Sequence, residues 1–168
     1  MANFGEATWK RVEARSETDA SHYVSTTPYP DELTMGIVTA ACEELNVAAA
    51  DLLHTFGKHW VLNTAKTEYE DLMALCGDDL KTFLINLDRM HEQVAFTFQN
   101  LQQPSFELET VDGDTLLHYR SARNGLSEFV VGLLMGLSEY FDEPITIDQV
   151  AFKSDGADHD IFKLQFTH

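Results

Sequence analysis

Apolar side chains along this chain follow one period before residue 104 and another after it. In the first stretch they recur every three to four residues, the spacing that lines one face of an α-helix. This predicts helices over 5–13, with Trp9 and Val12 inward, and over 31–45, through Leu33, Ile37, Ala41 and Leu45. A further helix over 47–63 turns Leu52, Leu53, Phe56, Trp60 and Val61 inward, a brief turn follows at 69–75, and a long helix spans 78–100. Between the first two helices, residues 14–30 are rich in Ser, Thr, Asp and Pro and read as a surface connection. After Pro104 the period drops to two. Strands are predicted over 105–110 and 115–120, with Asp112-Gly113 as the hairpin signal between them. A helix over 124–141, ended by Pro144, precedes two more strands over 146–153 and 161–167. The SDGADHD segment joining these strands resembles an acidic calcium loop but lacks the closing Glu, so it reads as a hairpin connection. The predicted fold class is α+β: an N-terminal helical lobe followed by a β-β-α-β-β lobe with a four-stranded antiparallel sheet. The whole of 1–168 reads as one domain, with the helical lobe over about 1–66 and the long helix plus the β-rich lobe over about 67–168.

The long helix carries the first chemical signal. Its apolar seam runs Leu80, Leu84, Leu87, His91, Val94, Phe98, so an imidazole stands where the pattern asks for Leu. Asp78 and Asp79 are placed to cap the first turn. A buried imidazole needs partners for both ring nitrogens, since an unpaired polar atom in an apolar site costs about 1–3 kcal/mol. A metal on one nitrogen and a hydrogen bond on the other satisfies it. So does a core histidine bonded to a carbonyl or hydroxyl, and the helix alone does not choose.

The second signal is LLHYRSAR at 116–123. On a strand Tyr119, Ser121 and Arg123 would share a face, and two hydroxyls with a guanidinium fork suit a dianionic group such as paired carboxylates. The alternative is an exposed polar face with an ion pair to one of the many acids. In the next helix Gly132 and Gly136 lie on one face, marking close approach of either a neighbouring helix or a flat ligand. A lone buried histidine, a face for two carboxylates and a flat apolar slot together describe haem, with its axial imidazole, propionates and planar macrocycle.

Composition narrows the field. A net charge of −17 repels phosphate backbones and anionic lipid, which argues against nucleic acid and membrane surfaces as partners. The N-terminus carries no signal-peptide core, and the longest apolar run, 129–137, is too short to span a bilayer. Two cysteines, Cys42 and Cys76, read as reduced core residues of a cytoplasmic protein. No CxxC, HExxH or glycine-rich phosphate loop is present, and no nucleophile–base arrangement stands out, so the chain is not expected to be an enzyme. The remaining histidines (His22, His54, His59, His118, His159, His168) read as surface or packing residues, His118 facing away from the triplet.

NLDRMH ending at His91, the following spacing to Pro104, and Tyr119-x-Ser121-x-Arg123 resemble the H-NOX (haem nitric oxide/oxygen binding) family. The likeness extends from FGEATW at Phe4 through FGKHW at Phe56 to DHDIF at Asp158, and covers the sensory domain of soluble guanylate cyclase as well as bacterial relatives. The resemblance sets the family's opening helix, which covers the distal haem face, ahead of Phe4, where the sequence carries none. It implies haem b (iron protoporphyrin IX) between the lobes, with His91 as the proximal iron ligand. Tyr119, Ser121 and Arg123 would hold the propionates, and Pro104 would press on the macrocycle and distort it. The distal position that is tyrosine in oxygen-binding relatives falls at Phe129, which cannot donate a hydrogen bond, and Val130 and Leu133 beside it are also apolar. The implied ligands are nitric oxide and carbon monoxide, with weak or no oxygen binding. Release of the proximal histidine would signal to a partner, which in similar bacterial proteins is a histidine kinase or a diguanylate cyclase. Some relatives hold a metal-binding cysteine cluster near the last hairpin; with Asp160 in place of a thiol, no such site is expected here.

Two other function classes compete. A haem-free interaction module would keep the fold and signal by contact alone. A phosphotransfer domain would use His91 as the phosphoryl acceptor, which requires that ring to be exposed, whereas Leu87, Met90 and Val94 surround it with apolar neighbours.

Overall fold

The computed structural model of the chain describes residues 5–16, 29–97 and 103–167, and the division into two compact units falls between Leu53 and His54. Most of the predicted surface connection at 14–30 lies outside the described residues, as do Phe4, Phe98, Asn100, His22 and His168.

The first unit is built on α1 (Gly5–Ser16) and α2 (Asp31–Leu45). Val12 of α1 and Ala40 of α2 are buried, but the contact is largely polar: Arg11 binds Glu44, and Arg15 binds Glu43 at 3.0 Å. The hydrogen bond from Arg11 holds the Glu44 carboxyl below the usual carboxylate range. α1 runs to Ser16, past its predicted end at 13, because Arg15 is retained in the last turn by this pairing. α2 has the predicted bounds and stops at Asn46, whose left-handed backbone (φ 52°) returns its N–H to the Cys42 carbonyl.

α3 (Ala49–His59) crosses into the second unit and continues as a π-helix, Trp60–Ala65, then as the short α4 (Lys66–Glu68) and α5 (Glu70–Ala74). The aromatic stripe predicted to face inward here does not. Phe56 and Trp60 are exposed, Trp60 stacking on Tyr69, while Gly57, Val61 and Ala65 are buried. The reason is a backbone-to-backbone approach. A Cβ on Gly57 would lie 2.3 Å from the Phe129 carbonyl oxygen, and one on Gly132 would lie 2.1 Å from that of His54. Only small side chains fit on the facing surfaces. The glycine pair Gly132 and Gly136 therefore marks a neighbouring helix and not a flat ligand.

α6 (Leu80–Thr97) leads to a sheet formed by β1 (Ser105–Val111), β2 (Asp114–Arg120), β3 (Ile145–Ala151) and β4 (Asp160–Phe166), with α7 (Ser127–Phe141) between β2 and β3. All pairings are antiparallel and the spatial order is β1-β2-β4-β3, in agreement with the predicted α+β class and four-stranded sheet. Asp112 (φ 52°) and Gly113 (φ 92°) both take positive φ in the tight turn between β1 and β2, as an Asp-Gly hairpin requires. The core is one continuous cluster in which Leu80, Phe83, Leu84 and Leu87 of α6 and Val130, Leu134 and Leu137 of α7 cover Phe106, Leu117, Tyr119, Phe162 and Leu164 of the sheet.

Candidate functional site

The site starts where α6 is fixed most firmly. Asp79 caps the helix, its carboxylate accepting the Thr82 N–H and the Thr82 hydroxyl, each at 2.7 Å, and these bonds hold its carboxyl below the usual range. Leu80 and Leu84 are fully buried and Leu87 nearly so. One turn on, the seam opens: His91 and Val94 are only half-buried, and Phe98 lies outside the described residues.

The His91 ring packs against Phe106 of β1, with ring centroids 5.7 Å apart, and Phe106 in turn packs against Tyr119 of β2 at 5.2 Å. Nδ1 of His91 is shut off from solvent and has no hydrogen-bond partner among the described residues. Burial pushes this imidazole below its ordinary range, opposed by the neighbouring Asp88 carboxylate and the Pro104 carbonyl. A core histidine satisfied at both nitrogens is therefore not what the chain alone provides. An orphaned ring nitrogen is the feature that an axial metal ligand leaves behind in a ligand-free fold, and on this observation the residues fit a haem.

Asp88, one turn before His91, was not singled out by the apolar pattern. Its carboxylate accepts the Ser105 hydroxyl at 2.8 Å and the Phe106 N–H, so it staples α6 to β1 beside the His91 ring. The only trace in the sequence is an acid three positions ahead of the seam histidine.

The polar triplet comes together, but not as strand alternation predicts. β2 ends at Arg120, so Ser121 and Arg123 lie past the strand and share no pleat with Tyr119. Instead the chain folds back locally: the Arg123 N–H donates to Ser121 Oγ at 3.1 Å, and Tyr119 is hydrogen-bonded to Ser121. Burial pushes the Tyr119 phenol up, as does the Asp160 carboxylate, while Ser121 and Arg123 act in the opposite direction. Asp160 is buried and fully engaged. Its carboxylate accepts Ser127 Oγ at 3.0 Å, Gln149 Nε2 at 2.8 Å and the Lys153 N–H at 2.8 Å. Lys153 Nζ donates to the Ser121 carbonyl at 2.7 Å, which ties the β3–β4 connection to the triplet loop.

Pro104 precedes β1 with its carbonyl acting on the His91 ring. Phe129 sits in the first turn of α7 against Phe56, centroids 5.4 Å apart. All six residues singled out in the sequence belong to the second unit. Among the described residues no single helix is long and apolar enough to cross a membrane.

The family model described as "Haem-NO-binding" matches residues 1–149. Among curated relatives, the chain is 28% identical over 169 residues to soluble guanylate cyclase gcy-31 of Caenorhabditis elegans, covering 98% of this chain and 24% of that protein. It is 32% identical over 158 residues to soluble guanylate cyclase gcy-32 of the same organism, covering 88% of this chain and 22% of the relative. The chain thus spans about a quarter of the length of these relatives. Its fold superposes on an H-NOX protein from Shewanella oneidensis, solved in the Fe(II)NO ligation state, with a TM-score of 0.86 at 21% identity, over 99% of this chain and 92% of that one. An unliganded Fe(II) H-NOX protein from K. algicida gives a TM-score of 0.82 at 21% identity, covering 99% of this chain and 90% of that one.

Proposed function

The chain belongs to the haem-NO-binding (H-NOX) family, and from that premise we propose that it is a haem-based sensor of nitric oxide that signals to another protein. The Nδ1 of His91, orphaned among the described residues, carries this reading, because a buried ring nitrogen left without a partner costs stability unless something outside the chain completes its surroundings. In this reading His91 would hold the iron of haem b, Tyr119, Ser121 and Arg123 would hold the propionates, and Pro104 would border the macrocycle. When bound, the group would supply an iron centre able to take a diatomic gas.

Everything else is done by the chain. Phe129 offers no hydrogen-bond donor on the distal side, so a polar bound oxygen lacks the partner that nitric oxide and carbon monoxide do not need. Asp88 keeps the His91 turn of α6 on β1, and the buried seam from Leu80 to Leu87 anchors the helix behind it. A change in what His91 holds would then act only on the far half of α6. A partner that prefers one of the two helix positions reads this as a change in affinity. We assign that partner to the histidine kinase or diguanylate cyclase class, by likeness to sensors of this family. A reducing, cytoplasmic setting suits the two free cysteines, Cys42 and Cys76.

The test is optical. Protein supplied with haem is reduced and its spectrum recorded with nitric oxide, with carbon monoxide and in air, for wild type and His91→Gly. Wild type should develop a Soret band that shifts with the first two gases and shows no stable oxygenated form. His91→Gly should lose the unliganded ferrous spectrum and regain it with added imidazole. Colourless wild-type protein in excess haem would overturn the proposal.

A further inference from the structure

On the face of the sheet opposite Tyr119, two histidines expected as separate surface or packing residues meet. His118 of β2 alternates with the buried Leu117 and Tyr119 and so points outward, where its Nδ1 lies 2.8 Å from Nε2 of His159, in the connection leading into β4. Each ring is held at its far nitrogen by a carboxylate: His118 Nε2 by Glu109 Oε2 at 3.1 Å, and His159 Nδ1 by Asp158 Oδ2 at 2.9 Å. Both imidazoles are largely covered, with 14% of each side chain exposed, whereas the carboxylates at the two ends reach solvent.

Counting hydrogens in this row of four groups gives its charge. There are three links, and each needs one hydrogen between its two heavy atoms. Two neutral imidazoles carry one N–H each and can fill only two of the three, leaving a pair of acceptors face to face in the third. Two imidazolium rings carry four N–H groups, and two of these would then collide across the central contact. The row needs three hydrogens, and with both end carboxylates ionised that means a single extra proton shared between the rings.

We infer that His118 and His159 form a one-proton clasp that fastens the β3–β4 connection to β1 and β2. Charged groups approach this face from every neighbouring element. From β1 come Glu107 and Glu109, from β2 Arg120, from β4 Lys163, from β3 Asp148, and from the connection Lys153 and Asp158. Arg120 is bound to Glu107 at 3.0 Å, Lys163 to Asp114 at 2.7 Å, and Lys153 to the Ser121 carbonyl, while Arg120 and Lys153 also act on the Asp158 carboxylate at one end of the row.

The clasp acts on a sensitive rung of the sheet. Tyr119 and Asp160 are register partners, and His118 and His159 are their immediate neighbours in sequence. With the proton in place, the row on the outer face holds the end of β2 and the start of β4, whose inner faces carry Tyr119 and the Asp160 bonds to Ser127, Gln149 and Lys153. With the proton lost, or with a second one added, a link opens and residues 158–160 are held less firmly.

The experiment uses the full chain, 15N-labelled and kept in chelator, titrated from about pH 5 to about pH 8, where imidazoles change charge. A ring N–H resonance coupled to nitrogens of both His118 and His159 should appear at intermediate pH and vanish at both ends. Protection of the Lys153 amide, which donates to Asp160, should be greatest where that resonance is strongest. In His159→Gln the resonance should be absent and the pH dependence of Lys153 protection flattened. Two rings titrating as independent sites with no bridging proton at any pH would overturn the inference, as would an unchanged Lys153 profile in His159→Gln. Should that variant fail to fold, the wild-type titration decides alone.

Discussion

The two halves of α6 share one apolar seam but meet different surroundings. From Leu80 to Leu87 the seam is sealed into the common core of α6, α7 and the sheet, and Asp79 caps its start. From His91 onward it is half-open, and its one polar residue has a buried nitrogen with no partner among the described residues. The contrast sets a sealed half of the helix against one with an unsatisfied polar group. The front half makes the fold, and the back half is held against β1 by Asp88 and by the packing of His91 on Phe106. Burying a histidine at the boundary puts the most costly residue of the seam where the core gives way.

The largest effect should come from breaking the front half. Leu84→Ala removes a fully buried side chain from the core and should cost about 2–5 kcal/mol, read from chemical denaturation of the ligand-free protein. A loss below that range would mean the front half is not the anchor. Asp88→Ala strips a charged acceptor from the Ser105 hydroxyl and the Phe106 N–H and should cost about 1.5–3 kcal/mol, with faster amide exchange at Phe106. His91→Leu should act in the opposite direction, raising ligand-free stability by about 1–3 kcal/mol because the orphaned nitrogen disappears, while haem binding is lost.

The smallest effect is a slope against pH. His91 is held neutral in the fold, below its ordinary value of 6.5, so on acidification the unfolded chain takes up a proton there before the folded one does. Its contribution to stability is therefore complete above about pH 6.5 and is lost as pH falls below it. Thermal midpoints of wild type and His91→Leu across that range should diverge, the wild type falling more steeply on the acid side.

Much of the architecture was legible in the periodicities. α2 has its predicted bounds, the Asp-Gly hairpin appears where the dipeptide placed it, and β4 and α7 lie within a few residues of their expected limits. These features depend on neighbours close in the chain. Where local pattern and tertiary contact competed, the contact won. The stripe through Phe56 and Trp60 turned outward because Gly57 and Gly132 bring two helix backbones together, and Ser121 and Arg123 left the strand because β2 loses its pairing partners after Arg120.

The identity of the odd residue on the seam, His91, and the nearness of Tyr119, Ser121 and Arg123 in the chain were fixed by the order of amino acids, since each is a matter of spacing over a few turns or a single strand end. That His91 Nδ1 lacks a partner among the described residues, that Asp88 staples its helix to β1, and that Lys153 bonds the Ser121 carbonyl while Asp160 acts on Tyr119 from the far end of the chain followed only from folding. Such facts join groups separated by 17 to 41 positions, as do the two imidazoles of the outer face. No periodicity reaches that far. Whether a buried polar atom is satisfied depends on what the rest of the chain brings to it.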